Sequence, residues 1–360
     1  MTQLSIIDIL SNFIENHHLS SLDLKLLYDD DAINNKYPLK FKQNYDFLQS
    51  KLDILILVYH HVKLLFNDVQ LIHKSSYLNH LWYFWIPLAL ELAKKRKQQN
   101  YPFTIGILGG QGTGKSTLTQ ILPVIWQCLN ISSVGISLDD LYKTYEERQK
   151  LLKIDSRLIW RGPPGTHDVE LGIKVLNQLR HGYYPVEIPR FDKSLYSGSG
   201  DRIENELLTN YIGQKRRSQI DIIILEGWFV GVQPVAEEKF IYPPYPIITK
   251  EDQKFALDCN QRLKEYLPLW EILDYLMILN PEDYRFSLQW RKIAEHKMIN
   301  QGKAGMNDEQ IEQFVHYFWK ALHPQIYIQP MIKNSWLTDL VINIDYDHNV
   351  TKIIRPNLTQ

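Results

Sequence analysis

The chain has 360 residues, and its 40 Lys and Arg against 41 Asp and Glu give a formal net charge of -1. This balance excludes the strongly basic character typical of nucleic-acid-binding proteins and gives no electrostatic attraction to an anionic membrane. Charged residues at 22% and hydrophobic residues at 44% exclude a disordered or low-complexity chain. We therefore expect a folded protein of two or three domains whose main partner is neither nucleic acid nor a membrane.

Cysteine usage and the first residues both indicate a cytoplasmic protein. Cys128 and Cys259 lie far apart, outside any C-x-x-C spacing, and two such residues cannot build a disulfide scaffold. Residues 1–5 lack the basic start and apolar run of a signal peptide. Residues 81–93 are the most apolar segment, which is shorter than the roughly 20 residues that a membrane span needs.

Residues 1–100 are predicted to form a helical N-terminal region of unknown role. Apolar residues recur densely over 52–66, as in a helix buried on most sides, although so short a run also allows a strand. Residues 81–93 predict a second buried helix, and the Lys/Arg-rich residues 94–97 suit its C-terminus. No pattern that carries chemistry precedes residue 100, so we place the functional domain at 101–360.

Strands alternate with helices after residue 102, which predicts an α/β fold with a parallel sheet and helices on both faces. The β-branched run at 220–225 is typical of a strand that is buried on both sides. In such sheets ligands bind at the carboxyl ends of the strands. The predicted strands are 103–108, 133–138, 220–225, 276–279 and 340–344.

The segment GGQGTGKS fits the phosphate-binding pattern G-x-x-x-x-G-K-[ST] between a predicted strand and a predicted helix. Glycines allow the tight turn in which backbone N–H groups converge on phosphate oxygens. Lys115 would reach the β and γ phosphates, and Ser116 would offer its hydroxyl group to Mg²⁺. The fold is therefore predicted to be P-loop NTPase-like. The residues expected to bind the nucleotide are Gly109, Gly110, Gln111, Gly112, Thr113, Gly114, Lys115, Ser116 and Thr117.

Acidic residues at the ends of two predicted strands are candidates for metal binding and proton transfer. Glu226 ends the strand 220–225 on the side where the P-loop opens, which favours a role as a metal ligand over that of a loop cap. Asp139 and Asp140 end the strand 133–138. One of them is expected to accept a hydroxyl proton from a substrate, and the other to cap the helix that follows.

Two segments rich in Pro, Gly and Arg are predicted to bind an anionic small molecule. On composition alone, residues 160–168 and 187–202 would be ordinary surface loops. Their position between the strands of the metal site, and Arg side chains able to clamp a carboxylate, favour substrate binding. The residues in them that we expect to bind the substrate are Arg161, His167, Asp168, Arg190, Asp192 and Arg202.

A basic segment near residue 290 has two interpretations of equal weight. It is either the solvated face of a helix, with Arg291 and Glu295 as an i, i+4 pair, or a lid that closes on the triphosphate and neutralises transition-state charge. Its basic residues are Arg285, Arg291, Lys292, Lys297 and Lys303.

The motifs occur in a consistent order: the P-loop, SLDDLY (137–142), RGPPGTHD (161–168), IPRFDKS (188–194), ILEGW (224–228), and WRKIAEH with GKAGM (290–306). Together they resemble the D-glycerate 3-kinases of the plant and cyanobacterial type, a family similar to uridine kinase, phosphoribulokinase and pantothenate kinase. The resemblance implies transfer of the γ-phosphoryl group of ATP to the 3-hydroxyl group of D-glycerate, with Mg²⁺.

Carried over residue by residue, the resemblance implies Asp139 as the catalytic base. It places the lid arginine at Arg291, with Arg285 as the alternative, and Glu226 beside Ser116 at Mg²⁺. For D-glycerate it does not decide which arginine takes the carboxylate, and it points to Arg161, His167, Asp168, Arg190 and Asp192.

Two alternatives stay open. The chain is either a kinase for another hydroxylated metabolite, similar to uridine or pantothenate kinase, or a non-catalytic ATP-binding protein. A nucleoside pocket would need an aromatic stacking surface rather than Arg-rich loops. A GTPase switch would carry an Asn/Thr-Lys-x-Asp motif after the metal strand, and the sequence has none there.

Overall fold

The computed structural model describes residues 5–34, 45–67, 74–209, 211–212, 215–216, 220–302 and 305–356. The α-helices are α1 (Ile6–Asn16), α2 (Ser21–Asn34), α3 (Tyr45–Asn67), α4 (Lys74–His80), α5 (Ile86–Lys97), α6 (Lys115–Cys128), α7 (Tyr145–Ile154), α8 (Val169–His181), α9 (Lys250–Arg262), α10 (Leu267–Trp270), α11 (Phe286–Asn300), α12 (Asp308–Ala321) and α13 (Pro324–Ile332). The strands are β1 (Phe103–Gly109), β2 (Ser133–Ser137), β3 (Val186–Asp192), β4 (Asp201–Leu208), β5 (Tyr211–Ile212), β6 (Lys215–Arg216), β7 (Ile222–Gly227), β8 (Tyr275–Pro281), β9 (Leu340–Ile344) and β10 (Val350–Ile354).

Six strands form the central sheet in the order β10–β9–β8–β1–β7–β2. The neighbouring strands β9, β8, β1, β7 and β2 run parallel, and β10 pairs antiparallel with β9 at one edge. The strands predicted from the sequence are all present and parallel, and their aliphatic side chains are buried because helices cover both faces. The carboxyl ends of β1, β7 and β2 meet at one edge, where Leu108 pairs with Gly227 and Ser137 pairs with Glu226.

The segment 187–202, predicted as a loop, instead contributes to an antiparallel hairpin of β3 and β4 outside the central sheet. Strand β4 is exposed along most of its length and has no apolar face, so its sequence carries no strand signal. The residues that join the two strands, 193–200, are called the β3–β4 loop below. The hairpin places this loop next to the carboxyl end of β2, because β3 contacts the helical turn at Leu138–Leu141.

The N-terminal helices cover one face of the sheet. Both predicted buried helices are present: α3 contains residues 52–66, and residues 81–93 form a π-helical turn followed by the first part of α5. Their buried side chains share one hydrophobic core with α6 and with strands β1, β7, β8 and β9. Trp126 of α6 donates a hydrogen bond to the carbonyl oxygen of Ala89 on α5 over 3.0 Å. No helix in the described part of the chain is long and apolar enough to cross a membrane.

The division of the chain near residue 100 stays a prediction, and a cavity-forming variant tests it. We expect Leu55→Ala to lower the free energy of unfolding of the whole chain by about 2–5 kcal/mol, because Leu55 is fully buried in the shared core. Urea unfolding followed by circular dichroism and by tryptophan fluorescence should give coincident transitions at a lower midpoint. Two separate transitions, with only the first one moved by the mutation, would instead show an independent N-terminal domain.

Candidate active site

The P-loop joins the end of β1 to the start of α6 at the centre of this edge. Gly112 and Gly114 have φ angles of 78° and 88°, in the left-handed region that favours glycine. A Cβ atom at Gly112 would lie 2.7 Å from the Cβ atom of Trp290, so the packing of α11 also requires glycine there. The Lys115 ammonium donates a hydrogen bond to the Gly110 carbonyl over 3.0 Å. The Lys115 side chain therefore folds back over the loop, on the side where bound phosphates would lie.

The other predicted nucleotide-binding residues lie in the same turn. The Thr113 hydroxyl group donates to the Gly110 carbonyl over 2.9 Å, and the side-chain oxygen of Gln111 is buried without a hydrogen-bond partner in the described part of the chain. Ser116 is exposed in the first turn of α6, and Thr117 follows it. The N-terminus of α6 thus presents free backbone N–H groups and the positive end of its dipole to an anion.

Lys115, Glu226 and Asp139 form a charged centre beside the P-loop. Glu226 is the penultimate residue of β7, and its carboxylate accepts a hydrogen bond from the hydroxyl group of Ser137 on β2. Burial raises the pKa of Glu226, although Lys115 and Ser137 favour its charged form. Burial lowers the pKa of Lys115, although Glu226 and Asp139 favour its charged form. The centre holds both signs of charge close together, which suits the binding of a metal–triphosphate complex.

The adjacent aspartates have different partners. The Asp140 carboxylate accepts a hydrogen bond from the backbone N–H of Ser137 at 3.0 Å and pairs with Arg190 at 3.1 Å. Asp139 instead faces the charged centre and pairs with Lys193 at 2.6 Å. Burial opposes ionisation of Asp139, but Lys193 and further hydrogen bonds outweigh it and hold its pKa below the usual value. Neither aspartate is the expected N-cap, because Ser137 caps the helical turn Leu138–Leu141 with Asp140 as its capping-box partner, and Thr144 caps α7. Asp139 acts electrostatically on the P-loop lysine.

His167 is a buried, neutral imidazole. It is 2% exposed, its ring stacks on Tyr142 with centroids 4.5 Å apart, and its Nδ1 atom lies 2.8 Å from the Tyr266 hydroxyl oxygen. Burial lowers the pKa of His167 to about 3, so the ring carries no charge for an anionic substrate at neutral pH. Tyr142 donates a hydrogen bond to Asp139, so His167 contacts the charged centre through this tyrosine.

Two of the predicted substrate arginines are already paired with carboxylates. Arg190 lies between Asp140, at 3.1 Å, and Glu206, at 2.6 Å. Arg202 pairs with Asp168 at 3.1 Å, and Asp168, the N-cap of α8, also accepts the backbone N–H of Leu171. A substrate carboxylate would have to displace a protein carboxylate at either arginine, which the geometry of this structure does not favour.

Arg161 differs from both because its partner is a neutral group. It donates a hydrogen bond of 2.5 Å to the carbonyl oxygen of Gly198 in the β3–β4 loop, and no carboxylate of the described residues lies within ion-pair distance of it. The guanidinium lies 5.9 Å from the ring centroid of Tyr142 and acts electrostatically on the hydroxyl group of that tyrosine. Asp192, the last of the predicted substrate residues, accepts hydrogen bonds from Ser194 in a local turn.

Sequence reasoning assigned no role to two basic residues of this region. Lys193 lies inside the quoted IPRFDKS motif, so its position was a signal that could have been used. Arg148 lies in α7, outside every motif, and donates to the carbonyl oxygens of Ser199 and Gly200 in the β3–β4 loop. Only the folding of the hairpin onto α7 brings Arg148 to the site.

The basic segment near residue 290 forms helix α11 and the turn after it. Arg291 pairs with Glu295 at 2.7 Å, the i, i+4 pair of the first interpretation. Arg285 pairs with Asp283 through hydrogen bonds of 2.9 and 2.8 Å. Lys303 lies outside the described residues. A lid role for Arg291 or Arg285 stays a prediction.

Known proteins similar to this chain include kinases. No protein-family model matches the chain. It is 28% identical over 288 residues to the chloroplastic D-glycerate 3-kinase of Arabidopsis thaliana, a match that covers 75% of this chain and 60% of that protein. It is 32% identical over 267 residues to a probable ATP-dependent kinase of Saccharomyces cerevisiae, covering 69% of this chain and 87% of that one. The structure of a D-glycerate 3-kinase from Cryptococcus neoformans superposes with a TM-score of 0.65 at 24% identity, over 75% of this chain and 97% of that chain.

Proposed function

The chain belongs to the family of P-loop small-molecule kinases that includes the plant D-glycerate 3-kinase and the yeast kinase, and we propose that it phosphorylates D-glycerate at the 3-hydroxyl group with ATP. The observation that carries the proposal is the charged centre: a P-loop lysine, a carboxylate at the end of β7 and Asp139 lie together at one sheet edge. Lys193, which pairs with Asp139, and Arg161, which lies against the Tyr142 ring, supply the positive charge that an anionic acceptor requires.

The donor set beside the P-loop fits Mg²⁺. The Ser116 hydroxyl group and the Glu226 carboxylate supply hard oxygen ligands, and no group of three or more His, Cys, Asp or Glu able to hold a metal occurs in the described part of the chain. A magnesium ion that takes its remaining ligands from water and phosphates needs no more protein ligands than these. Bound there, the ion would neutralise charge on the β and γ phosphates.

In this proposal Asp139 acts as the general base. The 3-hydroxyl oxygen of the acceptor bonds to the γ phosphorus, its proton passes to the Asp139 carboxylate, and the bond from the γ phosphorus to the bridging oxygen breaks to release ADP. Lys115 balances charge on the transferring phosphoryl group. The Tyr142 hydroxyl group donates a hydrogen bond to the Asp139 carboxylate, and the Tyr142 ring stacks on His167.

Arg161 is proposed to bind the carboxylate of the acceptor, because the acceptor would displace only a neutral carbonyl oxygen from its guanidinium group. We expect Arg161→Met to raise KM for D-glycerate about 10- to 100-fold, the worth of one charge-assisted hydrogen bond, with little change in KM for ATP. Steady-state kinetics with each substrate varied in turn measures both values. Arg190→Met is the matched control, expected to lower Tm more than it changes KM. An unchanged KM in Arg161→Met would assign the carboxylate to another cation.

A coupled assay of ADP release with ATP and Mg²⁺ tests the proposed function. D-glycerate is the test acceptor, with L-glycerate, uridine and pantothenate as controls. Release that depends on D-glycerate, with 3-phosphoglycerate as product, supports the proposal. Release that depends on another acceptor would keep the kinase reaction and replace the substrate.

A further inference from the structure

The β3–β4 loop carries a cation into the charged centre. Lys193, its first residue, places its ammonium group 2.6 Å from the Oδ2 atom of Asp139. The Lys193 side chain is 60% exposed, against 26% for that of Asp139, so the cation reaches the carboxylate from the solvent side. Such a half-solvated cation changes partners at low cost, because it keeps much of its hydration in either pairing.

Polar contacts rather than a hydrophobic core hold the loop in place. Arg148 and Arg161 donate hydrogen bonds of 2.7 and 2.5 Å to backbone carbonyls of the loop. Tyr196 stacks on Tyr145 of α7, with ring centroids 4.1 Å apart. Residues 193–199 are all exposed, so the loop can shift without opening the core.

The ion pair with Lys193 makes Asp139 a poor proton acceptor in this conformation of the loop. One carboxylate oxygen accepts the Lys193 ammonium, and the Tyr142 hydroxyl group donates a further hydrogen bond to the same carboxylate. Both interactions stabilise the charged form and therefore oppose protonation. Removal of Lys193 leaves Asp139 with the Glu226 carboxylate, which favours a proton on Asp139, and with Lys115, which opposes one, so that one of the two nearby ammonium groups is lost.

We propose that Lys193 is a positioning residue whose ammonium group stays paired with Asp139 until an acceptor binds. The ammonium group then pairs with the carboxylate of that acceptor instead. The inference rests on the proposed function of the chain as a kinase of a hydroxy acid. The exchange conserves charge, since Lys193 leaves one carboxylate for another. It makes the base available only when an anionic acceptor is present.

The exchange explains how the site would discriminate against water. In ATP hydrolysis, a water oxygen bonds to the γ phosphorus, the water proton passes to Asp139, and the bond to the bridging oxygen breaks to give ADP and phosphate. Water and uncharged polyols such as glycerol have no anionic group to draw Lys193 away. They leave Asp139 paired, and the transfer to them stays slow.

Replacing Lys193 distinguishes its proposed role in keeping Asp139 paired, called the gating role below, from simple substrate binding. With ATP and Mg²⁺, ADP release is measured for the full chain without acceptor, with glycerol and with D-glycerate. We expect Lys193→Met to raise release without acceptor and with glycerol about 10-fold or more, and to raise KM for D-glycerate. Lys193→Arg keeps the charge and should restore the low background. Lys150→Met, an exposed lysine of α7 paired with Glu146, is the matched control.

The outcomes distinguish this inference from the proposed function. Circular dichroism first establishes that the Lys193 variants are folded, as expected for an exposed side chain. If Lys193→Met raises KM for D-glycerate but leaves the acceptor-free release unchanged, Lys193 binds substrate only and the gating role is overturned. If ADP release by the wild-type chain does not respond to D-glycerate, the proposed acceptor is wrong. The ADP release of Lys193→Met without acceptor still tests the gating role of Lys193.

Discussion

Lys115→Ala is expected to lower kcat for phosphoryl transfer by at least about 10³-fold, because removal of one preorganised charge from a phosphoryl-transfer site costs this much or more. The side chain lies over the P-loop, bonded to the Gly110 carbonyl, within the field of Glu226 and Asp139. No other ammonium group of the described residues donates to the Gly110 carbonyl, and Lys193, which also lies at the charged centre, is paired with Asp139. Single-turnover kinetics with ATP and the acceptor measures the effect.

The fold should survive this change. Lys115 is in the first turn of a helix whose buried residues are elsewhere, so far-UV circular dichroism and Tm should stay close to those of the wild type. Lys150→Ala, which removes an exposed lysine of an i, i+4 pair, should leave kcat unchanged. Full activity of Lys115→Ala would remove the basis for assigning the P-loop to phosphate binding.

Asp139→Asn is expected to lower kcat by about 10²–10⁴-fold with little change in ATP affinity, because the amide cannot take the hydroxyl proton. The change keeps the shape of the side chain, and the Tyr142 hydroxyl group can still donate to the amide oxygen. Comparison of kcat and KM for both substrates, with ATP binding measured by calorimetry, tests the role. A change confined to KM would mean that Asp139 positions the acceptor and does not transfer a proton.

Asp140→Asn is the neighbouring control. This residue accepts the backbone N–H of Ser137 and the guanidinium of Arg190, so its replacement should lower Tm more than it lowers kcat. The opposite result, a large loss of kcat in Asp140→Asn and a small one in Asp139→Asn, would exchange the two roles.

The main sheet and the P-loop were predictable because their signals are local. A strand buried on both faces needs a continuous apolar run, as in residues 222–225, and a phosphate loop needs glycine where φ is positive, as at Gly112 and Gly114. The exposed strand β4 gave no such signal, because its side chains face solvent and need not be apolar. Its hairpin with β3 forms through backbone hydrogen bonds, to which almost any residue can contribute.

The sequence by itself determined the parallel α/β architecture, the phosphate loop and the strand ends at which Glu226 and Asp139 lie, since each depends on a short run of neighbouring residues. Only the tertiary structure decided which charges pair. It placed Arg190 between two carboxylates, left Arg161 on a neutral carbonyl and brought Lys193 to Asp139. Ion pairs form between residues that are far apart in sequence, and their energies depend on distance and solvation, which no local pattern of residues encodes.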